Sequence, residues 1–240
     1  MNILATSGGF RPSRRTWLET GPIIDFAFEL AGSPQRPKFC YVGTAGGDNP
    51  LHTASVLQAF LGRDVVVSSL AAFPMPSVED VTGHLLAQDV VWVGGGSVAG
   101  LLAIWRLHGW DRVFRAVWEA GVLLGGVSAG SVCWHVGGTT DSFGPALRPV
   151  TNGLAMLPHS NGVHYDSEEQ RRPLYHQLVA DEVLPAGYAT DDGVGLHYRG
   201  TELAEAVSDT PGKSAYRVEP DGRGGAVETV IEPRLLGGGR

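Results

Sequence analysis

The sequence is short of cysteine, of charge and of long apolar runs. Two cysteines in 240 residues, Cys40 and Cys133, both sit among apolar neighbours. That favours buried thiols over a disulfide. Charged residues make up 18%, with 18 Lys and Arg against 25 Asp and Glu and a formal net charge of -7. No basic run appears, so no nucleic acid is expected as a partner. No stretch approaches the roughly 20 apolar residues that a membrane-spanning helix needs. Residues 1–6 carry no basic lead before an apolar run, so no leader is expected and a cytoplasmic location is. Two kinds of metal-site pairing, His-x-x-x-His and Cys-x-x-Cys, are missing, so no metal and no cofactor are expected. His159, His164 and Asp166 are the nearest thing to a ligand set.

What is present suits one domain over residues 1–240. Hydrophobic residues are 43% and glycines number 34, enough for a sizeable core with many tight turns. Residues 2–6, 37–43, 64–68 and 88–93 read as buried strands. Between them, 17–30, 53–61, a segment starting at 77, 98–108 and 110–120 read as helices. Alternation of this kind predicts an α/β fold with a mostly parallel sheet and helices on both faces. Beyond Trp134 the pattern loosens. Residues 137–145 read as a loop and 173–181 as a helix. Residues 185–190, 194–197, 215–218 and 226–231 read as late strands, and 235–240 as a frayed tail.

Ligands of such sheets bind at the carboxyl ends of strands. Three glycine-rich turns fall there: 7–9, 94–96 and 125–128. The last contains Gly126-Val127-Ser128-Ala129-Gly130 between an apolar run and a helical one, the pattern of a nucleophile elbow. An ordinary strand-to-helix turn with Ser128 as a cap gives the same five residues. A nucleophilic serine needs oxyanion donors, a base and a group that orients the base. The Ala129 N–H, just after the serine, is one donor, and the 94–96 turn offers another. No Gly-Lys-Ser or Gly-Lys-Thr run follows directly on the 94–96 turn, which excludes a Walker phosphate loop there. Of eight histidines, those in helical stretches (His52, His84, His108, His176) read as structural. His164, in a loop after a strand, stands ahead of His159 as the base. Asp141, between Ser128 and His164, and the later Asp191 and Asp192 are the candidate orienting acids.

Four motifs in order then resemble the peptidase E family, the α-aspartyl dipeptidases of serine peptidase family S51, with cyanophycinase as a relative. They are Val93-Gly94-Gly95-Gly96-Ser97, Gly126-Val127-Ser128-Ala129-Gly130-Ser131, Thr140-Asp141-Ser142-Phe143 and His164-Tyr165-Asp166-Ser167-Glu168-Glu169-Gln170-Arg171. The resemblance implies a flavodoxin-like fold related to class I glutamine amidotransferases. It also implies a metal-free exopeptidase acting on dipeptides or short peptides. Carried over by position, Ser128 is the nucleophile, His164 the base, and Gly96 and Ala129 the oxyanion donors. Asp141 is the preferred third member and Asp192 its possible support. Gly95, Ser97, Glu168 and Arg171 are expected to bind substrate, and a homodimer is a possibility. Ser97 replaces the family's usual asparagine. Glu168 stands where aspartate-selective members carry arginine, so strict aspartate specificity is not expected. The other readings are a silent peptide-binding relative, a cyanophycinase-like hydrolase and an α/β-hydrolase esterase. An esterase of that fold places its histidine late, and here only His197 follows Asp192, too close to serve.

Overall fold

The computed structural model describes residues 1–32 and 34–237. Its main sheet has eight strands. In spatial order they are Arg234–Leu235, Glu202–Ser208, Val194–Arg199, Asn2–Thr6, Leu123–Val127, Val90–Val93, Lys38–Val42 and Val66–Leu70. The last five run parallel, and Val194–Arg199 joins them antiparallel to Asn2–Thr6. Strands 38–42, 66–70, 90–93 and 123–127 occupy the first four places of a doubly wound 2-1-3-4-5 order, and the N-terminal strand fills the fifth. The order reverses between Lys38–Val42 and Val90–Val93, and ligand crevices open at the carboxyl ends of such a pair.

The parallel strands are apolar on both sides because helices cover both. Leu4, Phe39, Tyr41, Trp92 and Leu123 pack under helices Pro22–Leu30 and Pro50–Gln58 through Ile23, Ile24, Phe26 and Val56. Ile3, Cys40, Val91, Val93 and Leu124 pack on the opposite face, against Leu101, Trp105, Phe114 and Val117 of helices Val98–His108 and Trp110–Glu119. Burying each such side chain stabilises the fold by about 2 kcal/mol. Cys40 and Cys133 are buried and free.

Several boundaries differ from the sequence reading. Residues 17–30 do not form one helix. Leu18–Thr20 pairs with Phe10–Pro12 as a two-stranded ribbon, and the helix begins at Pro22, where proline's fixed φ suits the first helical position. Helix Pro50–Gln58 starts earlier than expected because Asn49 caps it, its side chain accepting the N–H groups of Leu51 and His52.

The largest difference lies after Trp134. A second, six-stranded sheet runs in the order Ala226–Ile231, Ala215–Pro220, Gly187–Thr190, Ser160–Gly162, Gly137–Thr140, Arg148–Val150, with the Gly187, Ser160 and Gly137 strands parallel. Residues 137–140 read as a loop because the strand carries no apolar alternation. Its fit is backbone against backbone: a Cβ on Gly138 would lie 2.1 Å from the Asn161 carbonyl oxygen. Strand Glu202–Ser208 was also not anticipated. Of the tail read as frayed, Leu235 joins the first sheet and 238–240 lie outside the described residues.

Candidate active site

Strand Leu123–Val127 ends at Ser128, which holds φ 58° and ψ -115° before helix Ala129–Val132 begins. Positive φ is unfavourable for any residue with a Cβ. Close packing of the turn enforces it. A Cβ on Gly130 would sit 2.2 Å from the Val93 carbonyl oxygen, and one on Gly126 2.4 Å from the Gly130 oxygen. Larger residues would push the helix off the strand. The Ser128 N–H donates to Thr6 O at 3.0 Å. At the start of the helix, the Ala129 N–H has no intrahelical acceptor.

Strand Val90–Val93 lies directly beside Leu123–Val127, so the 94–96 turn flanks the elbow. Within it, the Gly94 N–H donates to Val42 O and the Ser97 N–H to Ala45 O. The Gly95 and Gly96 N–H groups have no backbone acceptor among the described residues. A Cβ on Gly95 would lie 3.3 Å from Ser128 Cβ and 3.8 Å from its Oγ. Gly96 holds φ +133°, and a Cβ there would collide with Ala45 O at 2.2 Å. Ser97 is a helix cap: its Oγ accepts the Gly100 N–H at 3.0 Å.

His164 follows strand Ser160–Gly162 and also has positive φ, 53°. Its N–H donates to Ser7 Oγ at 3.1 Å, and Ser7 in turn meets Thr190 Oγ1 at 2.7 Å. His164 Nδ1 lies 2.6 Å from Asp192 Oδ1. A carboxylate partner makes Nδ1 the donor and leaves Nε2 with its lone pair outward. Among the described residues Nε2 has no partner, and no hydrogen bond joins it to Ser128 Oγ. In ligand-free sites that contact often forms only with substrate bound.

The acid beside His164 is therefore Asp192, not Asp141. The reason lies in the second sheet. Three adjacent parallel strands end on one edge, with His164 after the middle one, Asp141 after one neighbour and Asp192 after the other. Chain order cannot choose between two flanking strands. Asp192 is held by its own N–H, which donates to Asp166 Oδ1 at 2.9 Å, and Asp166 pairs with Lys213. Partial burial opposes ionisation of Asp166, but Lys213 and the Asp192 N–H outweigh it and hold its pKa below the ordinary value. Asp166 thus holds Asp192, the acid beside His164, and is itself paired with Lys213.

Asp141 instead borders a cavity of about 430 Å³ with Glu168 and Glu169. Its loop is tied down where the Ala99 N–H donates to Ser142 Oγ. Glu168 accepts from Arg171 Nε at 2.7 Å, and Arg171 Nη1 donates to Thr139 O. Arg171, 3% exposed, is thereby committed to the protein rather than offered to a ligand. Gly95, Val127, His164 and Asp192 line a separate cavity of about 350 Å³.

The other histidines have structural partners. His135 is fully buried, with Nδ1 donating to Ser131 O and Nε2 facing Tyr198 Oη. His176 meets Glu228, and His159 packs on Tyr188 and Tyr198. Ser7 is the site residue that sequence reasoning missed, and Asp166, weighed there only as a metal ligand, instead holds Asp192. Ser7 lay in a glycine-rich turn already noted at a strand end, and Asp166 is two residues from His164. Among the described residues, no helix is long and apolar enough to cross a membrane.

The model of peptidase family S51 matches residues 3–206. The chain is 40% identical over 184 residues to the uncharacterized peptidase YgaJ of Bacillus subtilis (strain 168), covering 77% of this chain and 79% of that one. Its fold is similar to a Listeria monocytogenes EGD-e protein provisionally assigned to peptidase E, with TM-score 0.61 and 18% identity, covering 86% of this chain and 98% of the other. It is also similar to a peptidase from an acI-B1 Actinobacterium, with TM-score 0.66 and 14% identity over 97% and 94% of the two chains.

Proposed function

The chain belongs to peptidase family S51, and from that premise we propose that it is a serine exopeptidase that cleaves dipeptides or short peptides at the N-terminal end through an acyl-enzyme. The observation that carries this reading is the 2.6 Å contact of His164 Nδ1 with Asp192. It orients a base at the edge where the strained Ser128 elbow and the free Gly95 and Gly96 amides also lie.

In this mechanism Ser128 Oγ attacks the scissile carbonyl carbon while its proton passes to His164 Nε2. Asp192 stabilises the imidazolium and fixes the ring. The developing oxyanion accepts the N–H groups of Gly96 and Ala129, each such donor being worth a hundredfold or more in turnover by order of magnitude. The imidazolium then protonates the leaving amine, and a water deprotonated by the same Nε2 releases the acid.

The cavity bordered by Asp141, Glu168 and Glu169 is acidic, and Arg171 is already engaged. An N-terminal ammonium suits such a cavity, whereas a substrate carboxylate meets like charge. The enzyme is accordingly proposed to prefer neutral or basic N-terminal residues over aspartate. Hydrolysis of Ala-Leu, Arg-Leu and Asp-Leu, followed side by side, tests this. The first two should be cleaved and Asp-Leu poorly. Strong preference for Asp-Leu would overturn the specificity, and cleavage of none of the three the activity.

A further inference from the structure

The second cavity beside His164 has a different character. Its walls are Phe10 and Leu18 from the two-stranded ribbon, Tyr41 and Trp92 from the sheet, and His52 and Val56 from helix Pro50–Gln58. No Lys, Arg or Glu lines it, and its one acid, Asp192, is engaged by His164. Burial, then the nearby Asp48, pushes the Tyr41 hydroxyl up to about 12, so it stays neutral at working pH. A charged side chain entering here would lose water and gain no counter-charge.

We infer that this cavity is a specificity pocket for a large apolar side chain, that of the residue leaving after bond cleavage. The inference rests on the peptidase reading above. The side is set by the chemistry: His164 must protonate the leaving nitrogen, so the leaving residue lies on the imidazole's side. His164 and Asp192 both line this cavity. The acidic cavity of Asp141 and Glu168 lies at the end of the strand on the other side of His164. One subsite thus receives the N-terminal residue and the other the residue that follows it.

The pocket is preformed. Phe10 sets its ring edge-on against Trp92 at 6.4 Å, Phe39 at 6.4 Å and Phe60 at 6.0 Å. The ribbon is anchored at its base and middle. Arg11 pairs with Asp209 at 3.2 Å, a carboxylate only 4% exposed, and Arg63 donates to Thr20. The Gly21 N–H closes the ribbon's base onto Gly9 O at 2.7 Å. Leu18 is half-buried on this ribbon, two residues from the anchored Thr20, so a substitution there alters the pocket wall without emptying a fully buried core position.

The test is a panel with a constant first residue: Ala-Leu, Ala-Phe, Ala-Asp, Ala-Lys and Ala-Gln. In the unaltered enzyme, kcat/KM for Leu and Phe in second place should exceed that for Asp and Lys by tenfold or more. Leu18→Arg should raise the ratio of Ala-Asp to Ala-Leu by at least tenfold, with thermal unfolding checking the fold. If that variant does not fold, Leu18→Gln takes its place and should lower the ratio of Ala-Leu to Ala-Gln. A flat second-position profile, or ratios unmoved by the variant, would overturn the inference. Labelling of Ser128 by a fluorophosphonate separates the two claims. Labelling with a flat profile sinks this inference alone, whereas no labelling sinks the peptidase reading beneath it.

Discussion

Ser128 and His164 share a backbone property that neither sequence position announces: both hold positive φ, at 58° and 53°. Strain of this kind costs on the order of 1–3 kcal/mol and persists only where surroundings enforce it. Gly126 and Gly130 enforce it at the serine, and the Ser7 hydroxyl and Asp192 carboxylate anchor the histidine. The two candidate acids separate cleanly at this scale. Asp192→Asn would leave the ring contacted but reverse the donor at Nδ1, so Nε2 would carry the proton it must receive. Turnover should fall by about 10⁴-fold. Asp141→Asn should change it by less than about tenfold, because Asp141 does not touch His164. Steady-state kinetics of the two variants on Ala-Leu decides the matter, and equal losses would contradict the assignment. The Ser128 elbow could be read from the sequence because such a turn needs small residues around its serine. The acid could not, because Asp141 and Asp192 end strands on either side of His164.

At the scale of elements, apolar strands between amphipathic helices were legible through residue 127, since burial on both faces leaves a continuous hydrophobic run. Gly137–Thr140 was not, because close backbone packing leaves no side-chain pattern to read. Nor was the early end of the elbow helix at Val132, which leaves His135 fully buried beyond it. His135 bridges Ser131 of that helix to Tyr198 of strand Val194–Arg199. Burial lowers its pKa from 6.5 to about 3, against the partly compensating hydrogen bond to Ser131. His159 and His197 shift in the same direction, chiefly through burial. In the window between pH 6.5 and about 3 the unfolded chain binds a proton at His135 that the folded protein does not. Stability is therefore fully present above pH 6.5 and falls as pH drops, by about 1.4 kcal/mol per unit for one such histidine. Urea unfolding at pH 7.5, 6.5 and 5.0 should show midpoints falling below pH 6.5. A midpoint that rises or stays level down to pH 5.0 would contradict this account of His135.

At the scale of the molecule, the candidate site draws on both sheets. The first supplies Ser128 and the glycine amides, and the second supplies His164 and Asp192. One apolar cluster runs through both, from Ile3 and Val91 in the first sheet to Val150 and Ala215 in the second, and fixes the two halves of the site against each other. Three strands of the second sheet were legible as late strands, whereas Gly137–Thr140, Arg148–Val150 and Ser160–Gly162 were hidden because they are short and carry glycine and polar residues in place of an apolar alternation. We propose that this junction makes Ser128 a nucleophile. Intact-protein mass spectrometry after treatment with a fluorophosphonate tests it most directly. One adduct is expected, mapped to Ser128, with loss of peptide hydrolysis in step with labelling and neither adduct nor hydrolysis in Ser128→Ala. An unlabelled Ser128, or a Ser128→Ala protein that still cleaves Ala-Leu, would contradict it.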